Sequence, residues 1–453
     1  MNSSAFSYLN FIHFSQLNLW DFKRYIAKVV SSKYPIVKLA TLINEENKKI
    51  KPFDFPEEKF EILGVNNKTG LFDAYIEDGN KINQPYKIVE NGFLAYNPYR
   101  INVGSIGLKT KDQKYKYISP AYVVFSCKKD LLPEFLYILF RTDKFNELIR
   151  ENTTGSVRQT LSFSSMGQIQ IPLPSLEKQK EIVDRYNAKI KLAEEQEKKA
   201  QNLEEMIEQY ICSELKIVNT SPKVSNEFKI SFVNYKDLSR WGVEFLKNNL
   251  SSKDFLKSLV YPMKKLGTLV AINPDNDFSK LDENLEMTFL PMASISDKFG
   301  EIVYAEKGKN GDSNGYTKFK EGDLLWAKIT PCMQNGKSAI AKNLINNRGY
   351  GSTEFYVIRN KNENELYFDY IYHLLRTKII RETATKYFTG SSGQQRVPKS
   401  FLENLSIPLP DFYKQKQISD ELYKIKHKIK ELTYTAEQNR QLAQEEFEKE
   451  LFE

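Results

Sequence analysis

Two long stretches of the chain place apolar residues in steps of three and four, while the remainder alternates short apolar runs with turn residues. From Glu177 to Leu215 there is no Pro or Gly, and apolar or small residues recur at Ile182, Tyr186, Ile190, Ala193, Ala200, Leu203, Ile207 and Tyr210. From Tyr413 onward they recur at Ile418, Leu422, Ile425, Ile429, Leu432 and Ala436, then at Leu442 and Phe447. Such steps make a narrow heptad seam rather than the broad stripe of a helix lying on a sheet. The spacing predicts two helices of about 40 residues, each about 60 Å long at about 1.5 Å per residue. Two heptad helices in one chain pack most economically on each other, as an antiparallel coiled coil. Its expected packing positions are Ile190, Leu203, Ile207, Ile418, Leu422, Ile425, Ile429 and Leu432. The alternative is a pair of independent helices covering sheet faces.

The remaining sequence reads as α+β. "GFLAYN", "YVVFSC", "DLLWAKI" and "FYVIR" are strand-like runs punctuated by Gly, Asn and Pro, whereas residues 133–152 and 367–387 have helical spacing, with Arg141 and Arg376 at matching places. The expected organisation is a connecting segment (1–32), a globular domain (33–175), a long helix (176–217), a second connecting segment (218–258), a second domain (259–411) and a second long helix (412–453). The connecting segments carry Trp20 and Trp241.

The halves share one grammar. "TGSVRQTLSFSSMGQIQIPLPSLEKQKEI" (Thr154 to Ile182) matches "TGSSGQQRVPKSFLENLSIPLPDFYKQKQI" (Thr389 to Ile418), and Pro172 lies 236 residues before Pro408. "YPIVKLATL" answers "YPMKKLGTL", "LFRTDKF" answers "LLRTKII", and "LNLWDF" answers "LSRWGV". A period this long indicates duplicated domains, not a solenoid of short repeats.

Charge sharpens the picture. The net charge is +8, yet residues 177–216 and 411–453 each carry −2, which leaves +12 on the rest of the chain. A positive excess on the globular parts suits a polyanionic partner. The three cysteines, Cys127, Cys212 and Cys332, are scattered without a CxxC pair, which suits a reducing compartment, the cytoplasm, and argues against a zinc site or disulfide framework. No run of 18 apolar residues and no signal peptide is read.

Catalytic constellations are missing from the sequence. The three histidines have no ligand spacing for a metal, no phosphate-binding loop occurs, and "VGSIG" is too short for a dinucleotide loop. "NPYR" (Asn97 to Arg100) lacks the second Pro of the motif with which amino-methylating enzymes hold a flipped base, and the second copy has "AKITP" in the equivalent place. No catalytic and no metal residue is assigned, so the sequence reads as a binder.

The doubled Thr-Gly-Ser, polar Arg/Gln stretch, "IPLP" and Lys-Gln junction, each after a domain opening near "YPxxKL", resembles the specificity subunit of type I restriction–modification systems over nearly the whole chain. The resemblance implies two pseudo-symmetric target recognition domains separated by two long helices that form an antiparallel coiled coil. It implies recognition of a bipartite double-stranded DNA target, and partners that are methyltransferase (modification) subunits, two of them, and restriction/translocase subunits. Chemistry and its cofactors (S-adenosylmethionine, ATP and Mg) would belong to those partners, with none in this chain. The alternatives are the recognition subunit of a system whose nuclease and methyltransferase are fused, and a coiled-coil structural adaptor.

Within such a reader the flexible loops carry the candidate DNA contacts: Arg158 and Gln159 in the first, Gln394, Gln395 and Arg396 in the second. Their side chains can pair with guanine and adenine edges or grip phosphate. Gly155 and Gly390 are the loop glycines, and the bland reading is that they only make a turn. Arg100, and Lys328, Gln334, Asn335 and Lys337 of "AKITPCMQNGK", are second-choice contacts on the same argument. The first junction has Met166-Gly167 where the second has Leu402-Glu403, so base contacts are not carried from one half to the other.

Overall fold

The computed structural model of the protein describes residues 31–152, 160–219, 256–391 and 393–453. Trp20 and Trp241 lie outside them. Two compact units result: Met1–Glu195 with Thr435–Glu453, and Gln196–Tyr434. No described helix is long and apolar enough to cross a membrane.

Unit 1 begins with β1 (Ile36–Lys38) and β2 (Ile43–Glu45). It continues through β3 (Lys49–Ile50), β4 (Lys59–Asn66), β5 (Gly70–Asp78) and β6 (Tyr86–Ile88) to β7 (Leu94–Tyr96) and β8 (Ile106–Leu108), then β9 (Tyr117–Ile118) and β10 (Val123–Cys127). The order β2-β10-β7-β8 makes one four-stranded antiparallel sheet, and β3-β6-β9-β4-β5 makes a second sheet. Helices α1 (Pro133–Leu139), α2 (Asp143–Asn152) and α3 (Phe163–Gly167) follow, and β11 (Gln170–Pro172) closes the domain. It does so by pairing with β1, Val37 opposite Ile171 and Ile36 opposite Pro172. "YPIVKL" and "IPLP" are therefore the two ends of one domain laid side by side. A two-stranded ribbon tolerates the proline that a central strand would reject.

The chain then enters α4 (Leu176–Glu214), followed by β12 (Ile217–Asn219), which pairs with β13 (Leu256–Ser258). The described part of unit 2 next repeats the plan: β14 (Met263–Lys265), α5 (Leu266–Leu269), β15 (Val270–Ile272), β16 (Glu286–Leu290), β17 (Glu306–Lys309), β18 (Thr317–Lys320) and β19 (Leu324–Ala327). Then come β20 (Ser338–Ile340), β21 (Arg348–Gly351), β22 (Phe355–Asn360), α6 (Phe368–Leu375), α7 (Lys378–Thr385), α8 (Lys399–Asn404), β23 (Ser406–Pro408) and α9 (Phe412–Phe452). The sheet β15-β22-β19-β20 has the strand order of its counterpart in unit 1, and β14 pairs with β23 as β1 does with β11. The second sheet differs: it is β17-β16-β21-β18, four strands against five. Its strands enter between β15 and β19 and between β20 and β22, the same two insertion points as in unit 1.

Each segment of helical spacing is broken at its Arg-Thr pair. Thr142 Oγ1 donates to Leu139 O (2.8 Å) and Thr377 Oγ1 to Leu374 O (2.7 Å), ending one helix with a hydroxyl that competes for its carbonyls. The next helix starts under a carboxylate. Glu448 Oε1 accepts the Asp143 N–H (2.8 Å), and Glu208 accepts those of Lys378 (2.9 Å) and Ile379 (3.0 Å). The orphan donors of α2 and α7 are thus satisfied by side chains of the long helices.

In unit 1 the first half of α4 lies along the last turns of α9, with Ile182, Val183, Phe447 and Leu451 in the same core as Leu39, Phe125 and Leu136. In unit 2 the second half of α4 meets the first half of α9, with Ile211, Leu215, Ile418 and Leu422 in one core. Within each unit the two helices therefore run antiparallel. Ile418, Leu422 and Ile429 are buried as the seam requires. Ile190, Leu203, Ile207, Ile425 and Leu432 are half-buried. Leu442 departs from the expected seam: it is exposed, and Ala443 takes the buried place. Ala443 stands seven residues after Ala436, as Ala436 does after Ile429 and Ile429 after Leu422, so the seven-residue seam continues through Ala443 and Leu442 falls one position outside it.

The Lys-Gln junction has a structural meaning. Gln179 and Gln415 are fully buried. Gln179 accepts the Leu132 N–H (2.9 Å) and donates to Asp130 O (3.0 Å) and Pro174 O (2.9 Å). Gln415 accepts the Tyr367 N–H (2.9 Å) and donates to Glu365 O (3.0 Å) and Pro410 O (2.8 Å). One amide in each unit thereby joins the start of the long helix to the loop that opens the domain's helices.

Candidate nucleic-acid interface

In both units the turn after a central strand of the shared sheet supports the segment that leaves the Thr-Gly-Ser loop. Leu161 N–H donates to Pro98 O (3.1 Å) in unit 1, and Val397 N–H to Lys328 O (2.9 Å) in unit 2. "NPYR" and "AKITP" are thus equivalent in space. An aromatic hydroxyl locks each exit: Tyr96 Oη donates to Leu161 O (3.1 Å) and Tyr356 Oη to Val397 O (2.9 Å), and burial pushes the Tyr356 phenol up to about 12.

Unit 2 brings both candidate loops onto one surface. Thr389 and Arg396 exchange backbone hydrogen bonds of 2.9 Å, closing the loop, and Thr330 N–H donates to Gln395 O (3.0 Å). Gly390, at φ +108, turns where a side chain would be strained, which gives it the turn-making role. Gln334, Asn335 and Gln394 are exposed on these loops, and Gln395 is half-buried. Exposed amides beside lysine and arginine are the side chains that pair with adenine edges and neutralise phosphate.

The cations are held in different ways. Arg396 grips Glu354 with Nε (2.9 Å) and Nη2 (2.7 Å) and gives Nη1 to Gln394 O (3.0 Å). Those hydrogen bonds hold the Glu354 carboxyl below its usual range. A base contact by Arg396 would have to replace this pairing, so its first effect is to position the loop. Lys328 Nζ sits 5.4 Å from the Tyr356 ring centre. Lys337 turns inward to Met292 O (3.1 Å). In unit 1 Arg100 is exposed next to exposed Tyr99, on a turn whose Asn97 Oδ1 accepts the Tyr99 N–H (3.0 Å). Arg158, Gln159 and Gly155 fall outside the described residues.

Arg141 and Arg376 tie each second sheet to the helical part. Arg141 Nη2 donates to Lys68 O (3.1 Å) in the β4–β5 turn, and Arg376 Nη2 to Asp297 O (2.9 Å) and Lys298 O (3.2 Å). The matching sequence positions carried the signal for these two residues. Glu208 and Glu448 carried none, because their partners are distant in the chain. Among the described residues no group of three or more His, Cys, Asp and Glu is arranged to hold a metal.

A family model for the type I restriction modification DNA specificity domain matches residues 26–205 and again 261–439. The chain belongs to this family. Each match runs from the start of a domain into its long helix, the repeat that the sequence displays. Two curated relatives, the specificity subunits of the type I restriction enzymes EcoEI and EcoAI of Escherichia coli, are each 38% identical over 154 residues, or 34% of this chain. The match spans about a quarter of those relatives, 25% and 26%. A solved structure concerned with complex assembly and conformational transition of the type I R-M system superposes over 94% of this chain and 99% of its own, at TM-score 0.55 and 15% identity. It shares the fold.

Proposed function

We propose that the chain is the sequence-reading subunit of a type I restriction–modification complex, each unit recognising one half of a split DNA target. The observation that carries the proposal is the repeated frame: two copies of one four-stranded sheet, each with the turn after a central strand bound to an equivalent residue, Pro98 to Leu161 and Lys328 to Val397, and with a different second sheet attached. A constant frame with a variable insert is what two readers of different words require. Phosphate contacts supply affinity and base edges supply discrimination. Two methyltransferase subunits and the restriction/translocase subunits are the proposed partners, with S-adenosylmethionine, ATP and Mg acting there. The chain alone is then catalytically silent.

Exchange of residues 33–175 for the corresponding domain of another family member tests this. Mapping methylated adenines should show one word changed and the other word and the gap retained. A swap that alters both words, or methylation by the purified chain alone, overturns the proposal.

A further inference from the structure

Within unit 2, a cleft of about 470 Å³ opens between α4, α9, the α6–α7 pair and the turn Asp297–Phe299. Three half-buried cations line it, Arg376, Arg381 and Lys426. Among the described residues none of them forms an ion pair. Arg376 spends its donors on backbone carbonyls, among them Asp297 O (2.9 Å) and Gly336 O. Arg381 Nε donates to Arg376 O (3.0 Å), and its Nη1 donates to Gln334 O. Lys426 Nζ donates to Tyr372 Oη (3.0 Å) and lies 4.4 Å from that ring's centre. Glu208, which also lines the cleft, is committed to the N–H groups of Lys378 and Ile379.

His373 adds a second, independent feature. It lines the same cleft at 4% exposure, and its Nε2 has no hydrogen-bond partner. Burial and the charges of Lys426 and Arg376 hold it well below the usual histidine range, so the ring is neutral. Carboxylates such as Glu301 lie near these cations without pairing with them directly, and a buried polar atom left unpaired beside clustered cations is a costly arrangement for a protein interior, which a bound acceptor relieves.

From this arrangement we propose that the cleft binds a small phosphate ester of about nucleoside-monophosphate size, its phosphate set among Lys426, Arg376, Arg381 and His373 Nε2. The cleft's volume falls in the range of small-molecule sites, which a bare phosphate would leave mostly unfilled. Phe299, Ile207 and Ile429 supply apolar wall for the organic body, and the exposed carboxylates of Glu204 and Glu205 face hydroxyl or amino groups at the rim.

Titration calorimetry on the full chain tests it with three probes: AMP, inorganic phosphate and adenosine. AMP should bind with a stoichiometry of one, phosphate should compete with it, and adenosine should give no saturable heat. Lys426→Met should weaken AMP at least about tenfold, and exposed Lys378→Ala, which leaves the interior untouched, should weaken it less. The proposal is overturned by equal binding of adenosine and AMP, by phosphate binding without AMP binding, or by no AMP binding up to about 10 mM. Unchanged AMP affinity in both folded variants overturns it as well.

Discussion

Replacing Gln415 with Leu would remove three hydrogen bonds while nearly conserving volume, leaving the Tyr367 N–H and the Glu365 and Pro410 carbonyls without their partner. The Pro410 bond is buried and the other two are part-buried. A buried backbone group left unpaired costs about 1–3 kcal/mol, and a part-buried bond that water can replace contributes about 0.5–1.5 kcal/mol. The expected destabilisation is about 3 kcal/mol, confined to unit 2. Gln179→Leu has the same three contacts to lose in unit 1 and should cost about the same there. Because a chain of two units need not unfold in one step, residue-resolved amide exchange is a better assay than a single melting curve. Exchange at Tyr367 should accelerate in the first variant and at Leu132 in the second, with the other unit unchanged. If both variants lose less than about 1 kcal/mol, the glutamines are not what fastens helix to domain.

Leu422→Ala should destabilise unit 2 by about 2–5 kcal/mol, since the side chain is fully buried in the core it shares with Ile211 and Leu215; normal exchange protection of residues 207–215 would show that the helices do not depend on this contact. Glu450, which accepts the Tyr34 hydroxyl (2.6 Å) and pairs with Lys33, Lys178 and Arg185, titrates at about 2 instead of 4.5. A carboxylate depressed in the folded state stabilises above its unfolded pKa, so about 1–2 kcal/mol, after allowance for solvent screening, should be lost as pH falls from about 4.5 towards 2. Glu450→Gln should flatten that acid limb, and an unaltered limb would refute the assignment. Under the proposed function, Arg396→Ala should weaken binding to all duplexes alike, roughly tenfold or less, because the lost pairing exposes the Glu354 carboxylate to DNA; relaxed preference in one half-site would instead identify Arg396 as a base reader.

The periodic parts of the fold were legible because they are local. The heptad steps located both long helices, the strand-like runs became β7, β10, β19 and β22, and the "YPxxKL" and "IPLP" repeats marked the domain ends that pair as β1–β11 and β14–β23. The second sheets were not legible as such. Apart from the β4–β5 hairpin their strands are short, two of them only two residues long, and the sheets are completed by pairings across the chain such as Ile62 with Tyr117. The candidate loops were visible as Gly- and Gln-bearing breaks, but sequence could not show that Arg396 is engaged by Glu354, 42 residues away. Nor could it show that Lys337 points inward.

The long helices exchange service between the repeats, and this follows from duplication. Lys178 of α4 pairs with Glu450 of α9 (3.6 Å), and Lys414 of α9 pairs with Glu214 of α4. Lys178 and Lys414 are 236 residues apart, and so are Glu214 and Glu450. The same two positions therefore meet twice with the helices' roles reversed, the reciprocity of an isologous contact, here between two copies of a repeat in one polypeptide. A contact of this kind pairs the start of each helix with the end of the other, which is why unit 1 takes its last 19 residues, Thr435–Glu453, from the far end of the chain. It also explains why α2 and α7 are capped by glutamates of the opposite repeat's helix. Shortening either long helix by one turn would therefore remove contacts from the unit that did not encode it, and amide exchange should show the loss there first.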